Sequence, residues 1–257
     1  MTEKNFDSEL IVKLGAFLVV LVMVYGLKAY YSEADSENLF WILMPTAFLA
    51  EVLSSIPFVH EIGFGWVNLD YQVVIAPACA GVNFMIIAFC MSAFQGICRS
   101  QTLLKTVAWV GAAGLSACGL TIITNALRIW LSVKLYHLDI YSGWLSPEGL
   151  HRIAGTGVYY LFLCFYYLAV SFILNSRRPA PGHGKTREAS FEPVLLLVPL
   201  FWYLLFALGA PYINNAFKIQ PERFLQHALT VGVTSAGITL ILVLAFAGSR
   251  CYLKKKE

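Results

Sequence analysis

Charge is what this chain of 257 residues is short of: only 13% of it is Asp, Glu, Lys or Arg, against 58% hydrophobic, and the mean hydropathy is +0.69. That balance excludes an ordinary soluble domain and makes the chain a polytopic membrane protein. The net charge of +3 says little as a sum, because the placement of Lys and Arg decides topology in such chains, and no nucleic-acid partner is implied. Paired cysteines are missing too. The six cysteines (79, 90, 98, 118, 164, 251) show no C-x-x-C spacing, and four fall in apolar runs where Cys packs as a small hydrophobe, so no disulfide framework is expected. The histidines are scattered, with no H-x-x-x-H or H-E-x-x-H pair, so neither a metal site nor a cofactor is expected. Glu3, Asp7 and Glu9 precede the first apolar run and no small-residue cleavage site follows it; the first helix is expected to stay in the protein. There is no internal repeat.

What the chain does have is apolar runs long enough to cross a bilayer, which takes about 20 residues. They lie near 10–31, 39–59, 80–98, 103–124, 150–175, 193–210 and 228–248. The fold class that follows is an all-α polytopic membrane protein of about six to seven transmembrane helices. The run 39–59 is the weakest, since Pro45, Pro57 and Glu51 all count against a plain span, and an intramembrane carboxylate should face protein or water. Arg99 with Lys105, the group Arg177, Arg178, Lys185 and Arg187, and Arg250 with Lys254, Lys255 and Lys256 mark three cytoplasmic segments. Segments 60–79, 125–150 and 211–227 are then extracytoplasmic. An intact span at 39–59 requires an outside N-terminus, and a cytoplasmic N-terminus requires that segment to enter and leave by one face. In 60–79, Val67, Leu69, Tyr71 and Val73 alternate with Asn68, Asp70 and Gln72, which predicts a short strand in a β-hairpin. Residues 176–192 read as a polar Pro/Gly-rich linker, with His183 a solvated loop residue, and 193–248 as two further spans.

The chemistry concentrates on the outward side. In Ala76-Pro-Ala-Cys-Ala-Gly-Val-Asn-Phe84, Cys79 is expected in the first turn of a helix, where free backbone N–H groups and the helix dipole favour a thiolate. In Thr124-Asn-Ala-Leu-Arg-Ile129, Asn125 and Arg128 share one helix face. His151 opens the fifth span at the same level, in His151-Arg-Ile-Ala-Gly155. A cysteine, a histidine and an arginine in one leaflet are the minimal set for thiol acyl transfer: nucleophile, proton carrier, and a guanidinium for the oxyanion or the substrate. Each also has a plainer reading. Cys90, Cys98, Cys118, Cys164 and Cys251 are assigned to packing. Arg128 at a helix end is also suited to snorkelling to the headgroups, and His151 to an interfacial position. His60 and His137 face outward as well and remain open as the base, with Glu51 and Glu61 as groups that would orient an imidazole. The aromatic cluster from Tyr159 to Tyr167 reads as packing and an interfacial belt.

These three pieces, in this order and at these levels, resemble the exosortase/archaeosortase family of membrane cysteine transpeptidases. Cys79-Ala-Gly-Val-Asn-Phe84 looks like that family's Cys-Ser/Ala-Gly motif, Asn125-Ala-Leu-Arg-Ile129 is similar to its Asn-x-x-Arg helix, and His151-Arg-Ile-Ala-Gly155 matches its His-x-x-x-Gly. The likeness covers roughly residues 39–175. It implies Cys79 as nucleophile, His151 as general base and acid, and Arg128 as the positioning or oxyanion group, with Gly81, Asn83, Asn125 and Gly155 in support. Many members carry an arginine or serine soon after the cysteine motif; Val82, Asn83 and Phe84 stand there instead, a variant most like the subgroup called exosortase K. The resemblance further implies a prokaryotic inner membrane, an extracytoplasmic active site, and as partners exported proteins whose C-terminal sorting tail is a short motif, a transmembrane helix and a basic end. Two other classes stay in view. A transporter or channel would line its path with Glu51, Arg128 and the stretch Gly111 to Gly119, although it should carry ionisable groups near the midplane, and here nearly all sit at outer ends. In a non-catalytic assembly protein Cys79 would be dispensable.

Overall fold

Where the backbone must satisfy its own hydrogen bonds, long apolar runs fold as helices. The computed structural model describes residues 3–71, 73–136, 146–176 and 193–254, and it contains five helices long and apolar enough to span a membrane. The expected linker and His137 lie outside the described residues. The chain divides into two compact units, residues 1–154 and 155–257.

In the first unit, helices α1 (Glu3–Glu33), α3 (Val82–Ile97) and α4 (Leu103–Tyr136) are the long ones. α1 runs antiparallel to α3. The ring of Phe17 meets Phe94 edge-on at 5.0 Å, Lys28 Nζ donates to Asn83 Oδ1 at 2.9 Å, and the Tyr31 hydroxyl donates to the Pro77 carbonyl at 3.2 Å. α3 and α4 pair through the short loop 98–102, where the Trp109 Nε1–H donates to the Ser92 carbonyl at 2.9 Å. The indole lies against Gly96 so closely that a Cβ there would overlap it; at this position glycine is required for the approach of the two helices.

Helix α2 (Phe40–Ser54) corrects the weakest expected span. Its 15 residues rise about 22 Å, short of the roughly 30 Å of bilayer hydrocarbon. It packs on α4 through Ile42, Leu43, Thr46, Ala47 and Ala50. Its first residue, Phe40, meets the rings of His60 and Trp66 at 5.8 and 5.3 Å, and beyond its end the Phe58 N–H donates to Glu51 Oε2 at 3.4 Å. The segment therefore returns alongside itself. α1 ends at the level of Pro77, to which the chain after α2 leads back. Because α1 and α3 are antiparallel, the start of α1 and the 98–102 loop lie at the same end of the helix pair.

Between α2 and Cys79 lies a three-stranded antiparallel sheet, β1 (Val59–Glu61), β2 (Gly65–Asn68) and β3 (Val73–Ile75), in the order β1-β2-β3. The single strand read through Val67 to Val73 is in fact two strands and a turn. Asn68 makes the turn: its Oδ1 accepts from the Tyr71 N–H at 2.8 Å, while its Nδ2 donates to the Pro57 carbonyl at 2.7 Å. β2 is buried along its whole length rather than on alternate residues.

Helix α5 (Pro147–Ser176) starts in the first unit and continues in the second. The second unit adds α6 (Leu197–Leu204), a π-helical turn (Leu205–Gly209), α7 (Ala210–Ile213), α8 (Ala216–Ile219) and the long α9 (Pro221–Lys254). The apolar run expected near 193–210 is thus an interrupted helix, shorter than the five of spanning length. The π turn leaves the Ala207 carbonyl to the ring of His227, 3.2 Å away on α9. Tyr160, fully buried, shares a hydrogen bond of 2.5 Å with Thr239 and packs on the ring of Tyr203 at 5.4 Å.

Candidate active site

Pro77 opens a single 3-10 turn, Pro77–Cys79, where its fixed φ suits the first position and its missing N–H costs nothing. Gly81 follows in the left-handed region at φ 70°, which glycine adopts without strain, and α3 begins only at Val82. This corrects the expected setting of Cys79. The cysteine stands in a separate turn ahead of the helix, and its backbone N–H is not free but donates to the Ala76 carbonyl at 2.7 Å. Its thiol reaches the Val74 carbonyl at 4.0 Å.

The turn is tied down from two sides. Asn125, fully buried on α4, donates from Nδ2 to the Cys79 carbonyl, and Tyr31 from α1 holds the Pro77 carbonyl. Leucine in place of Asn125 keeps the branching at Cγ but leaves the part-buried Cys79 carbonyl without that donor. We expect Asn125→Leu to cost about 1–3 kcal/mol, read as a lowered thermal midpoint of the detergent-solubilised protein. An unchanged midpoint would show that the bond carries no weight.

A cavity of about 290 Å³ opens beside the turn, lined by Tyr71, Val73, Val74, Ile75, Cys79, Arg128, Ile129, Ser132, Val133 and His151. The residues singled out from sequence, Cys79, Arg128 and His151, thus come from three separate elements to one wall-to-wall space. Cys79 and Arg128 are half-buried and His151 is exposed. The Arg128 guanidinium is near enough to act electrostatically on both the His151 imidazole and the Tyr31 phenol, and Tyr31 also feels Cys79. One turn past Arg128, Ser132 bonds back to its carbonyl at 2.8 Å and adds a hydroxyl to the lining. A thiol, an imidazole and a guanidinium around one small, mostly aliphatic space form a set able to perform nucleophilic attack, proton transfer and anion stabilisation.

The supporting residues divide. Asn125 and Gly81 shape the Cys79 turn. Asn83 is exposed, bonded to Lys28 of α1, and is not among the cavity residues. Gly155 belongs to the second unit. His60 takes no part in the lining: its Nε2 lies 3.3 Å from Glu37 Oε1 and its ring packs on Trp66 at 4.6 Å. Of the cysteines assigned to packing, Cys90 and Cys164 are buried and Cys118 is half-buried, but Cys98 is exposed after the end of α3. Tyr31 and Ser132 went unnoticed in the sequence, where each is one aromatic or hydroxyl residue among many, and Tyr71 was read only as a strand residue. No protein-family model matches the chain, and neither does a curated protein or a solved structure.

Proposed function

We propose that the chain is a membrane-embedded cysteine peptidase or transpeptidase, similar to the exosortase/archaeosortase family, that cleaves the C-terminal sorting tail of exported proteins at the outer face of a prokaryotic inner membrane. The observation that carries this reading is the common cavity of Cys79, Arg128 and His151. Five spanning-length helices and the three sequence motifs support it.

In this mechanism His151 takes the thiol proton as Cys79 Sγ attacks the scissile carbonyl, and Arg128 stabilises the oxyanion. Collapse of the tetrahedral intermediate breaks the C–N bond; His151 returns the proton to the departing amine, and a thioester remains on Cys79. An amine acceptor, or water, then attacks the thioester, giving up a proton through His151 as the thiol is released. A substrate tethered by its own transmembrane helix presents its scissile bond at a fixed depth, so the bilayer supplies much of the orientation.

Cys79→Ala, introduced in the native host at an unchanged protein level, is expected to abolish tail removal, so that full-length precursors of tail-bearing surface proteins accumulate on immunoblots. Normal processing in that strain would rule out Cys79 as the nucleophile.

A further inference from the structure

The strand that precedes Cys79 ends its sheet. β3 pairs with β2 in the register Trp66↔Ile75, Val67↔Val74, Asn68↔Val73, and among the described residues no strand lies on its other edge. In an antiparallel ladder, successive residues aim their N–H and C=O alternately at the partner strand and away from it. The Ile75 carbonyl is the group a Cβ on Gly65 would strike, so Ile75 addresses β2. Val74 then faces the other way, in agreement with the 4.0 Å contact between its carbonyl and the Cys79 thiol. All three β3 residues line the cavity, and Val74 is 47% exposed. The nucleophile candidate is therefore flanked by an outward-facing backbone donor and acceptor belonging to one residue.

The geometry points to β3 as a peptide-binding edge: the substrate adds to it as a short fourth strand, pairing one residue with the N–H and C=O of Val74, and this sets the next peptide carbonyl beside Cys79 Sγ. The inference rests on the reading of Cys79 as an acyl-transfer nucleophile and specifies how its substrate is held. An extended peptide suits the site because it supplies the complementary donor and acceptor at one residue, as in strand addition to exposed sheet edges. The cavity volume, about 290 Å³, is at the small end for ligand sites and admits a few extended residues rather than a folded domain. Val73, Ile129 and Val133 offer apolar surface to small side chains, while Arg128 stands clear of the backbone pairing to meet the developing oxyanion.

The test uses the full-length protein in membrane vesicles and a set of thiol-reactive probes: acetyl-Ala-Ala-Ala vinyl sulfone, its three analogues carrying one N-methylated amide each, and methyl vinyl sulfone. Each adds the Cys79 sulfur to the vinyl carbon, with the thiol proton ending on the carbon next to the sulfone, and labelling is followed by mass spectrometry of the Cys79 peptide. The tripeptide is expected to label Cys79 at least about tenfold faster than methyl vinyl sulfone, and methylation of a single amide, the one facing the Val74 carbonyl, to remove about tenfold, the size of one lost hydrogen bond. Val74→Pro deletes the outward N–H at an edge position where proline is tolerated, and is expected to lower the tripeptide's rate to that of methyl vinyl sulfone. Equal rates for the parent and every methylated analogue, or an undiminished tripeptide preference in Val74→Pro, would overturn the proposal. If the proline variant fails to insert, the methylated series on the unaltered protein decides alone. A precursor-processing defect in Cys79→Ala without any peptide preference would sink the β3 edge and leave the peptidase reading standing; normal processing in Cys79→Ala would sink that reading instead.

Discussion

Replacing His151 with alanine is expected to slow tail cleavage about 10²- to 10⁴-fold, the range general acid–base catalysis contributes, while insertion and the total amount of protein stay as they are. The reason for choosing His151 over His60 is spatial. His151 sits in the cavity with Cys79 and within electrostatic reach of Arg128, whereas His60 is engaged by Glu37 at 3.3 Å and enclosed by Phe40 and Trp66. His60→Gln is accordingly expected to leave the cleavage rate unchanged. The measurement is the rate of precursor disappearance after a pulse of synthesis, in strains carrying each variant at equal abundance. Added imidazole should restore part of the rate to His151→Ala and none to Cys79→Ala, because it replaces a missing base but not a missing nucleophile. If His151 is merely an interfacial residue, its replacement will do no more than that of His60, and the proton carrier must be sought elsewhere in the lining.

The three cavity residues were legible in the sequence because local rules place them. An i to i+3 face and the distribution of basic loops need only short stretches of chain, and together they put Cys79, Arg128 and His151 at one level. What failed to show depended on partners far along the chain or on one side chain's choice. The period-two alternation from Val67 to Val73 runs unbroken through a turn, since only the two hydrogen bonds of Asn68 decide that the backbone reverses there. α2 is as apolar as a span, and its shortness comes from ending at Ser55, a left-handed residue at φ 58°, soon followed by Pro57. Tyr31 joins the Cys79 turn across 46 residues of sequence, a pairing no local pattern contains. Asn83 was drawn to the site by its closeness to Cys79 in sequence, but α3 starts at Val82, and the helical register turns Asn83 toward Lys28. The expected helix-start setting of Cys79 failed for a related reason: Gly81 in the left-handed region separates the 3-10 turn from α3.

Arg128 carries the other large effect. The residue is half-buried, lines the cavity with Cys79, and acts electrostatically on both His151 and Tyr31, which suits it to the oxyanion role proposed above. Removing one preorganised donor to a developing oxyanion costs about 10²- to 10³-fold in turnover, and Arg128→Ala is expected to lose that much. Lysine separates the two roles open to this residue. An arginine that snorkels to the headgroups is served almost equally well by lysine, because both long side chains reach the interface with their charge. An arginine that grips an oxyanion or a carboxylate through its planar fork is not, since the ammonium presents a point charge with no fixed pair of donors. Arg128→Lys is therefore expected to remain impaired, recovering only part of what alanine loses. The step affected can be read as well: an oxyanion role lowers the single-turnover rate of thioester formation at saturating substrate, while a role in holding a substrate carboxylate raises the concentration needed for half-maximal rate and spares the rate itself. Full activity in Arg128→Lys would return this residue to the membrane surface and leave the oxyanion to the backbone N–H groups at the start of α3.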